Sequence, residues 1–391
     1  MTEQNRKAGR LVSRREFVRD SALTAAGLAA FANPGRSHTP SPKPLNYNSD
    51  MEYRRLGRTG LMLSAVCLGG HWKRISKIVP ELSGQDEWKD AIRSHPEFIK
   101  NRRDIVSYCI EKGINYVDAC SGGEILAYSE ALKGRRDKMY FGYSWHVKEP
   151  RFKEWRTADR LLQGLDEGLK ESGLDYVDLW RISAIMPGSE HTFNETYEIV
   201  TALETAKKHG KARFTGVSSH DREWLKIVVN EFPEQIEVIL TPYTAKTAEL
   251  IKKGQPEVWD KDVEPGNNNP VAELLPGSLF ESVRKNDVGV LGIKPFASNH
   301  LFKGDGTPDN PNAEEDDRLA RLALRHILAN PSMTAPIPGL ITRHQVDNML
   351  LAIKERRELD PKEKADLRKA ADEAWAKLPE EYQWLKKWEY V

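Results

Sequence analysis

The chain has 391 residues, of which 39% are hydrophobic and 30% charged. That is enough apolar material for a large core and excludes a disordered chain. Basic and acidic residues number 59 and 58, a formal net charge of +1, which excludes the one-sided basic excess that nucleic-acid binding needs. The three cysteines, Cys67, Cys109 and Cys120, form no CxxC and no metal-ligand spacing. No disulfide framework, iron–sulfur cluster or metal site is therefore expected.

Ser13-Arg14-Arg15-Glu16-Phe17 precedes an Ala-rich, modestly apolar run over 22–32. A basic start, an apolar middle and a small-residue end make a signal peptide. Paired arginines followed by Phe point to the twin-arginine export machinery. Residues 1–32 are thus expected to be a signal that sends the folded protein to the bacterial periplasm or another extracytoplasmic space. The run is shorter than the roughly 20 residues of a transmembrane helix, and no other stretch qualifies. Residues 33–50, rich in Pro, Ser and Asn, read as a flexible linker.

From residue 63 the pattern alternates between short apolar runs and helical periodicity. A strand over 63–70 ends in Gly-Gly. A helix over 104–112 stops at Gly113, a strand spans 115–120, and a helix over 125–133 ends at Gly134. A strand over 139–145 follows, then a helix over 157–172. The strands 176–183, 212–218 and 237–242 alternate with helices at 194–209 and 222–231. Helix 278–286, strand 289–295, helix 316–329, strand 335–339 and helix 343–354 complete the series. About eight strand–helix units imply a parallel sheet covered on both faces and closed into a (β/α)8 TIM barrel. An open doubly wound sheet is disfavoured, because no GxGxxG follows the first strand.

Three stretches interrupt the rhythm: 72–102, 245–277 and 298–315. All follow strands, so they belong at the C-terminal face of the barrel, where active sites lie. The tail over 360–391 reads as a helix followed by aromatics that pack on the exterior or across one end.

Five collinear segments resemble the aldo/keto reductases. Met51-Glu52-Tyr53-Arg54-Arg55-Leu56-Gly57 is similar to their opening hairpin. Gly113-Ile114-Asn115-Tyr116-Val117-Asp118 looks like the strand carrying their catalytic aspartate. Leu174-Asp175-Tyr176-Val177-Asp178-Leu179 resembles the run before their active-site histidine. Lys211-Ala212-Arg213-Phe214-Thr215-Gly216-Val217-Ser218 resembles the fifth strand, and Ile337-Pro338-Gly339 with Gln345 the nucleotide-binding turn and last helix. The resemblance implies a barrel over 51–391 with an N-terminal hairpin and a C-terminal helical tail. It also implies an oxidoreductase using NADP(H) on a small carbonyl or sugar-like substrate.

The catalytic pattern departs from the family. Its aspartate survives as Asp118, but Gly123 stands where the acid Tyr is expected, Ser144 where the Lys is expected and Ser183 where the His is expected. On the cofactor side, Ser219 replaces an amide residue, Leu240 a Gln and Lys294 the aromatic that stacks on nicotinamide. The Asn of the last helix is offset to Asn348. Ser218, Ser219, Lys294, Gly339, Gln345 and Asn348 remain the expected cofactor contacts.

Strand alternation sends every second side chain into the barrel. Arg181 then shares the interior with Ser183, and His146 and His220 reach the same mouth as Ser144 and Ser218. Arg181 or Lys294 is expected to neutralise Asp118. The functional reading uses His146 or His220 as acid or base, with Cys120 and Glu124 at the rim; the plain reading is a structural Asp118–Arg181 pair. Tyr128 and Tyr143 are weaker replacement acids. Besides the reductase reading, a small-molecule binding protein and a lyase or isomerase stay open.

Overall fold

The structure is a computed structural model describing residues 43–389, apart from 86–89, 185–190, 249–276, 308 and 356–357. The signal reading, the 33–42 part of the linker and most of the 245–277 break lie outside those residues.

A hairpin opens the described chain: β1 (Tyr53–Arg55) pairs antiparallel with β2 (Met62–Ser64). Eight strands follow: β3 (Leu68–Gly69), β4 (Tyr116–Ala119), β5 (Tyr140–Tyr143), β6 (Val177–Ser183), β7 (Ala212–Ser218), β8 (Val238–Pro242), β9 (Gly289–Ile293) and β10 (Ala335–Pro336). They lie side by side in sequence order in one parallel sheet. Parallel neighbours need crossovers, and each here carries a helix, from Pro96–Glu111 after β3 to Arg343–Lys354 after β10. The ring is joined where the Cys67 N–H donates to the Pro336 carbonyl at 3.0 Å and the Gly69 N–H to that of Pro338 at 2.8 Å. The fold is the (β/α)8 barrel expected from the alternation.

Strand alternation sorts the core into two layers. Tyr116, Leu179, Leu240 and Leu291 fill the barrel interior together with Leu56, Leu61 and Leu63 of the hairpin. The hairpin plugs the N-terminal end, where the Arg58 N–H bonds the Asp287 carbonyl just ahead of β9. The alternate residues Val117, Trp180, Ile182 and Val290 pack outward in one cluster with Ile105, Leu161 and Leu203 of the helices.

Three helices begin three or more residues earlier than periodicity suggested, the third at Ala313 instead of 316. The first starts at Pro96 instead of 104, because Pro has no N–H to lose in a first turn and the His95 ring caps the Glu97 N–H. The second starts at Gly122 instead of 125, where the Ser121 hydroxyl accepts the Glu124 N–H at 3.3 Å. The tail forms a helix over Pro361–Ala376 and a 3-10 segment over Glu380–Trp388. Trp384 stacks on His220 at 3.7 Å between ring centroids, and the Trp388 indole donates to the His220 carbonyl. The tail therefore crosses the C-terminal end of the barrel. Among the described residues no helix is long and apolar enough to cross a membrane.

One buried histidine outside the barrel mouth carries a pH prediction. Burial, reinforced by Arg156 and opposed by Glu195, pushes His191 down from 6.5 to about 4. The folded state then binds this proton less readily than the unfolded chain. Its contribution is fully present above about pH 6.5 and is lost as pH falls towards 4, by up to about 3 kcal/mol. Urea midpoints at pH 7 and pH 4.5 should differ more in the parent protein than in His191→Asn. Equal acid losses in both would refute the assignment.

Candidate active site

A cavity opens at the C-terminal ends of the strands. Asp118, His146, Arg181, Ser218, His220 and Lys294 line it, as do Ser219 and Gly339. Eight of the ten residues singled out from the sequence therefore meet in one place. The other two do not: the Gln345 side chain accepts from the N–H groups of Ile341 and Thr342. Asn348 donates to the Asp317 carbonyl and accepts from Arg321.

Asp118 sits on β4, 5% exposed, facing Arg181 of β6, 3% exposed. Arg181 Nε donates to Asp118 Oδ1 at 3.0 Å, and a terminal nitrogen reaches Oδ2. Its other terminal nitrogen donates to the Ser218 hydroxyl at 3.3 Å. Burial disfavours the guanidinium charge, but Asp118 outweighs it and holds the Arg181 pKa above its ordinary value. Arg181, not Lys294, is the aspartate's counterion. The Tyr116 hydroxyl donates to Asp118 Oδ1 from below, and burial raises this phenol well above its usual range. Gly142 on β5 makes that arrangement fit, because a Cβ there would lie 1.9 Å from the Tyr116 hydroxyl.

Glu149, which sequence reasoning missed, lies buried between Ser144 and Ser183. Its carboxylate accepts the Ser144 hydroxyl, the Trp145 N–H and the Ser183 N–H at 2.5, 3.0 and 2.7 Å. Burial raises its pKa against the pull of those donors. Ser144 and Ser183 are thus bridged by one carboxylate rather than left facing a void. No periodicity or spacing marks such a contact.

His146 lies just past the end of β5 in a short 3-10 turn, so the strand does not reach it. It still lines the cavity, with Nδ1 2.7 Å from the Cys120 carbonyl. A carbonyl only accepts, so Nδ1 carries the hydrogen and Nε2 is the basic nitrogen. Burial pushes both His146 and His220 down, His220 well below its ordinary value with help from Lys294 and Arg151.

Lys294 directly follows β9 and lies in the left-handed region, φ 60°. Burial lowers its pKa, partly opposed by Cys120 and Glu124. Such strain at a half-buried cation is typical of functional sites. In the same cavity, His71 Nδ1 lies 2.8 Å from Glu124 Oε1 and 3.8 Å from Cys120 Sγ. Burial opposes charge on both partners of the His71–Glu124 pair; their mutual attraction, with Cys120, outweighs it, raising His71 and lowering Glu124.

Of the replacement acids, Tyr128 donates to the Gly69 carbonyl at 2.6 Å and Tyr143 packs outward towards Gly168. Burial raises both phenols. A tyrosine from the tail behaves oppositely. Tyr382 accepts a hydrogen bond from Lys73, a cavity residue. Burial raises its pKa, but Lys73 and Lys294 together bring it below the ordinary value.

The aldo/keto reductase family model matches residues 100–372. L-galactose dehydrogenase of Arabidopsis thaliana is 25% identical over 330 residues, covering 78% of this chain and 89% of that protein. The 6-dehydroglucose reductase of Novosphingobium aromaticivorans is 22% identical over 268 residues, 68% and 74% of the two chains. Among solved structures, the aldo-keto reductase AKR11C1 from Bacillus halodurans in its holo form superposes with a TM-score of 0.53 at 20% identity, covering 82% of this chain and 96% of that one. That likeness establishes the same barrel. With the family model spanning most of the chain, from the helix before β4 to the tail helix, this protein is a member of the aldo/keto reductase family and an oxidoreductase.

Proposed function

We propose that the protein interconverts a small carbonyl or sugar-like compound and its alcohol using NADP(H), with catalytic groups altered from the family pattern. The observation that carries this reading is the single cavity joining Asp118, Arg181, His146 and His220 to Ser218, Ser219, Lys294 and Gly339. The relatives named for L-galactose and 6-dehydroglucose support a sugar-like substrate. The nicotinamide cofactor supplies or accepts the hydride. Ser218, Ser219, Lys294 and Gly339 are the residues present to hold its reacting end.

Within the cavity, His146 Nε2 takes the proton of an alcohol undergoing oxidation and returns it during reduction. The Asp118–Arg181 pair holds the floor and positions Ser218. Neutral His220, fixed against Trp384, shapes the wall beside Lys294.

Titrating the purified protein with NADPH, following energy transfer from tryptophan to nicotinamide, tests the reading. Saturation in the micromolar range is expected. No binding at millimolar cofactor would overturn it. That result would favour a binding protein or a non-redox lyase or isomerase, to which the internally bonded Gln345 and Asn348 already lend support.

We also propose export in folded form through the twin-arginine machinery to the periplasm, supported by Arg14-Arg15 and the apolar run that follows. Replacing Arg14 and Arg15 together by Lys should retain the protein in the cytoplasm on cell fractionation. Unchanged periplasmic recovery would rule the route out.

A further inference from the structure

His71 follows β3, and Cys120 and Glu124 flank the start of the helix after β4. These segments are far apart in sequence, yet a ring nitrogen, a thiol sulfur and a carboxylate oxygen from them lie within 4.8 Å of one another. All three residues line the cavity. A tetrahedral zinc ion, with Zn–N and Zn–O near 2.0 Å and Zn–S near 2.3 Å, spaces its donors about 3.3–3.5 Å apart. The observed 3.8 Å from His71 Nδ1 to Cys120 Sγ and 2.8 Å from Nδ1 to Glu124 Oε1 bracket that spacing.

A second observation points the same way. Glu124 is 2% exposed, and its Oε1 faces His71 Nδ1 at 2.8 Å. A buried carboxylate oxygen and an imidazole nitrogen aimed at one point in this way are both able to donate an electron pair to one cation. The other oxygen, Oε2, accepts the Cys120 N–H at 2.7 Å, which fixes the carboxylate's orientation. Gly70 leaves it room, since a Cβ there would lie 2.4 Å from the Glu124 carboxyl carbon. The His146 ring, bonded to the Cys120 carbonyl, steadies the loop from behind.

We propose that His71, Cys120 and Glu124 bind a divalent transition metal, zinc by the character of the ligand set, with a fourth position open to the cavity. Nitrogen, thiolate and carboxylate together suit zinc, and three protein ligands with one open position are the pattern of catalytic rather than structural sites. The thiolate and carboxylate balance the dication, so nearby Lys294 and Arg151 face no net charge there.

The role rests on the oxidoreductase reading. Hydride passes from the nicotinamide to the carbonyl carbon, the π pair moves onto oxygen, and the cation draws that oxygen's electron density. The oxygen takes its proton from His146 Nε2, which lines the same cavity. Gly123, where a proton-donating Tyr was expected, lies between two of the ligands. Electrophilic assistance at this wall would serve in place of the missing phenol.

The full chain, stripped by dialysis against a chelator and titrated with Co2+, tests the site. A near-ultraviolet thiolate-to-cobalt absorption is expected, displaced by Zn2+ and missing in Cys120→Ser. No such band at high cobalt excess, or a band that survives Cys120→Ser, overturns the proposal. A second readout uses the unmodified protein. Zn2+ should protect Cys120 from iodoacetamide, the buried Cys67 and Cys109 staying unlabelled in the native state; equal labelling with and without zinc also overturns it. NADPH titration of the same preparation keeps the two readings separate. A cobalt band without NADPH binding supports the metal site and refutes the reductase reading; NADPH binding without a band does the reverse.

Discussion

Arg181→Met is expected to destabilise the folded barrel by about 3–5 kcal/mol, the usual cost of leaving one partner of a buried ion pair uncompensated. The cost arises because Asp118 is buried and loses both of its guanidinium contacts at once. The Ser218 hydroxyl loses its donor too. The double variant Asp118→Asn/Arg181→Met should recover most of the loss, because it removes the stranded charge. Urea unfolding monitored by tryptophan fluorescence and circular dichroism measures both. An Arg181→Met midpoint equal to that of the parent protein would mean that another cation, Lys294 being in the same cavity, reaches Asp118.

His146→Ala should lower kcat for NADP-linked oxidation or reduction by about 10²–10⁴-fold, the range for a lost general base. NADPH affinity should stay unchanged. The argument rests on geometry: Nδ1 is committed to the Cys120 carbonyl, so Nε2 is the nitrogen that accepts a proton. The assay follows nicotinamide absorbance against a panel of aldoses, small aldehydes and their alcohols. Unaltered turnover by His146→Ala on any active compound would remove this residue from the chemistry. Attention would then pass to Tyr382, whose phenol is drawn down by Lys73 and Lys294.

The barrel was legible because each strand is a short apolar run and each helix repeats at its own period, two signals that need no knowledge of distant residues. The Asp118–Arg181 pair was legible for the same reason: alternation along β6 puts Arg181 on the face of Leu179, which lies inside the barrel. Helix starts were less so, since the caps at His95 and Ser121 extend helices beyond their periodic cores. Other parts of the site left no local trace. Glu149 meets Ser183 across 34 positions and Lys73 meets Tyr382 across 309. His71 stands 49 positions from Cys120, so a spacing rule built on neighbouring ligands passes over the cluster. Gln345 was visible as a motif residue, but its side chain caps the helix that the motif begins.

The tail that crosses the barrel mouth has a consequence for synthesis. Chains fold from the N-terminus as they emerge, and the contacts that finish this cavity come from far downstream of the barrel strands, Tyr382 on Lys73 and Trp384 on His220. The barrel seam is also late, because β3 must wait for Pro336 and Pro338. A nascent chain therefore presents an open trough to its surroundings until the stretch carrying Tyr382 and Trp384 has emerged. Loading of any cofactor or ion is then timed by arrival of that stretch rather than by folding of the first half.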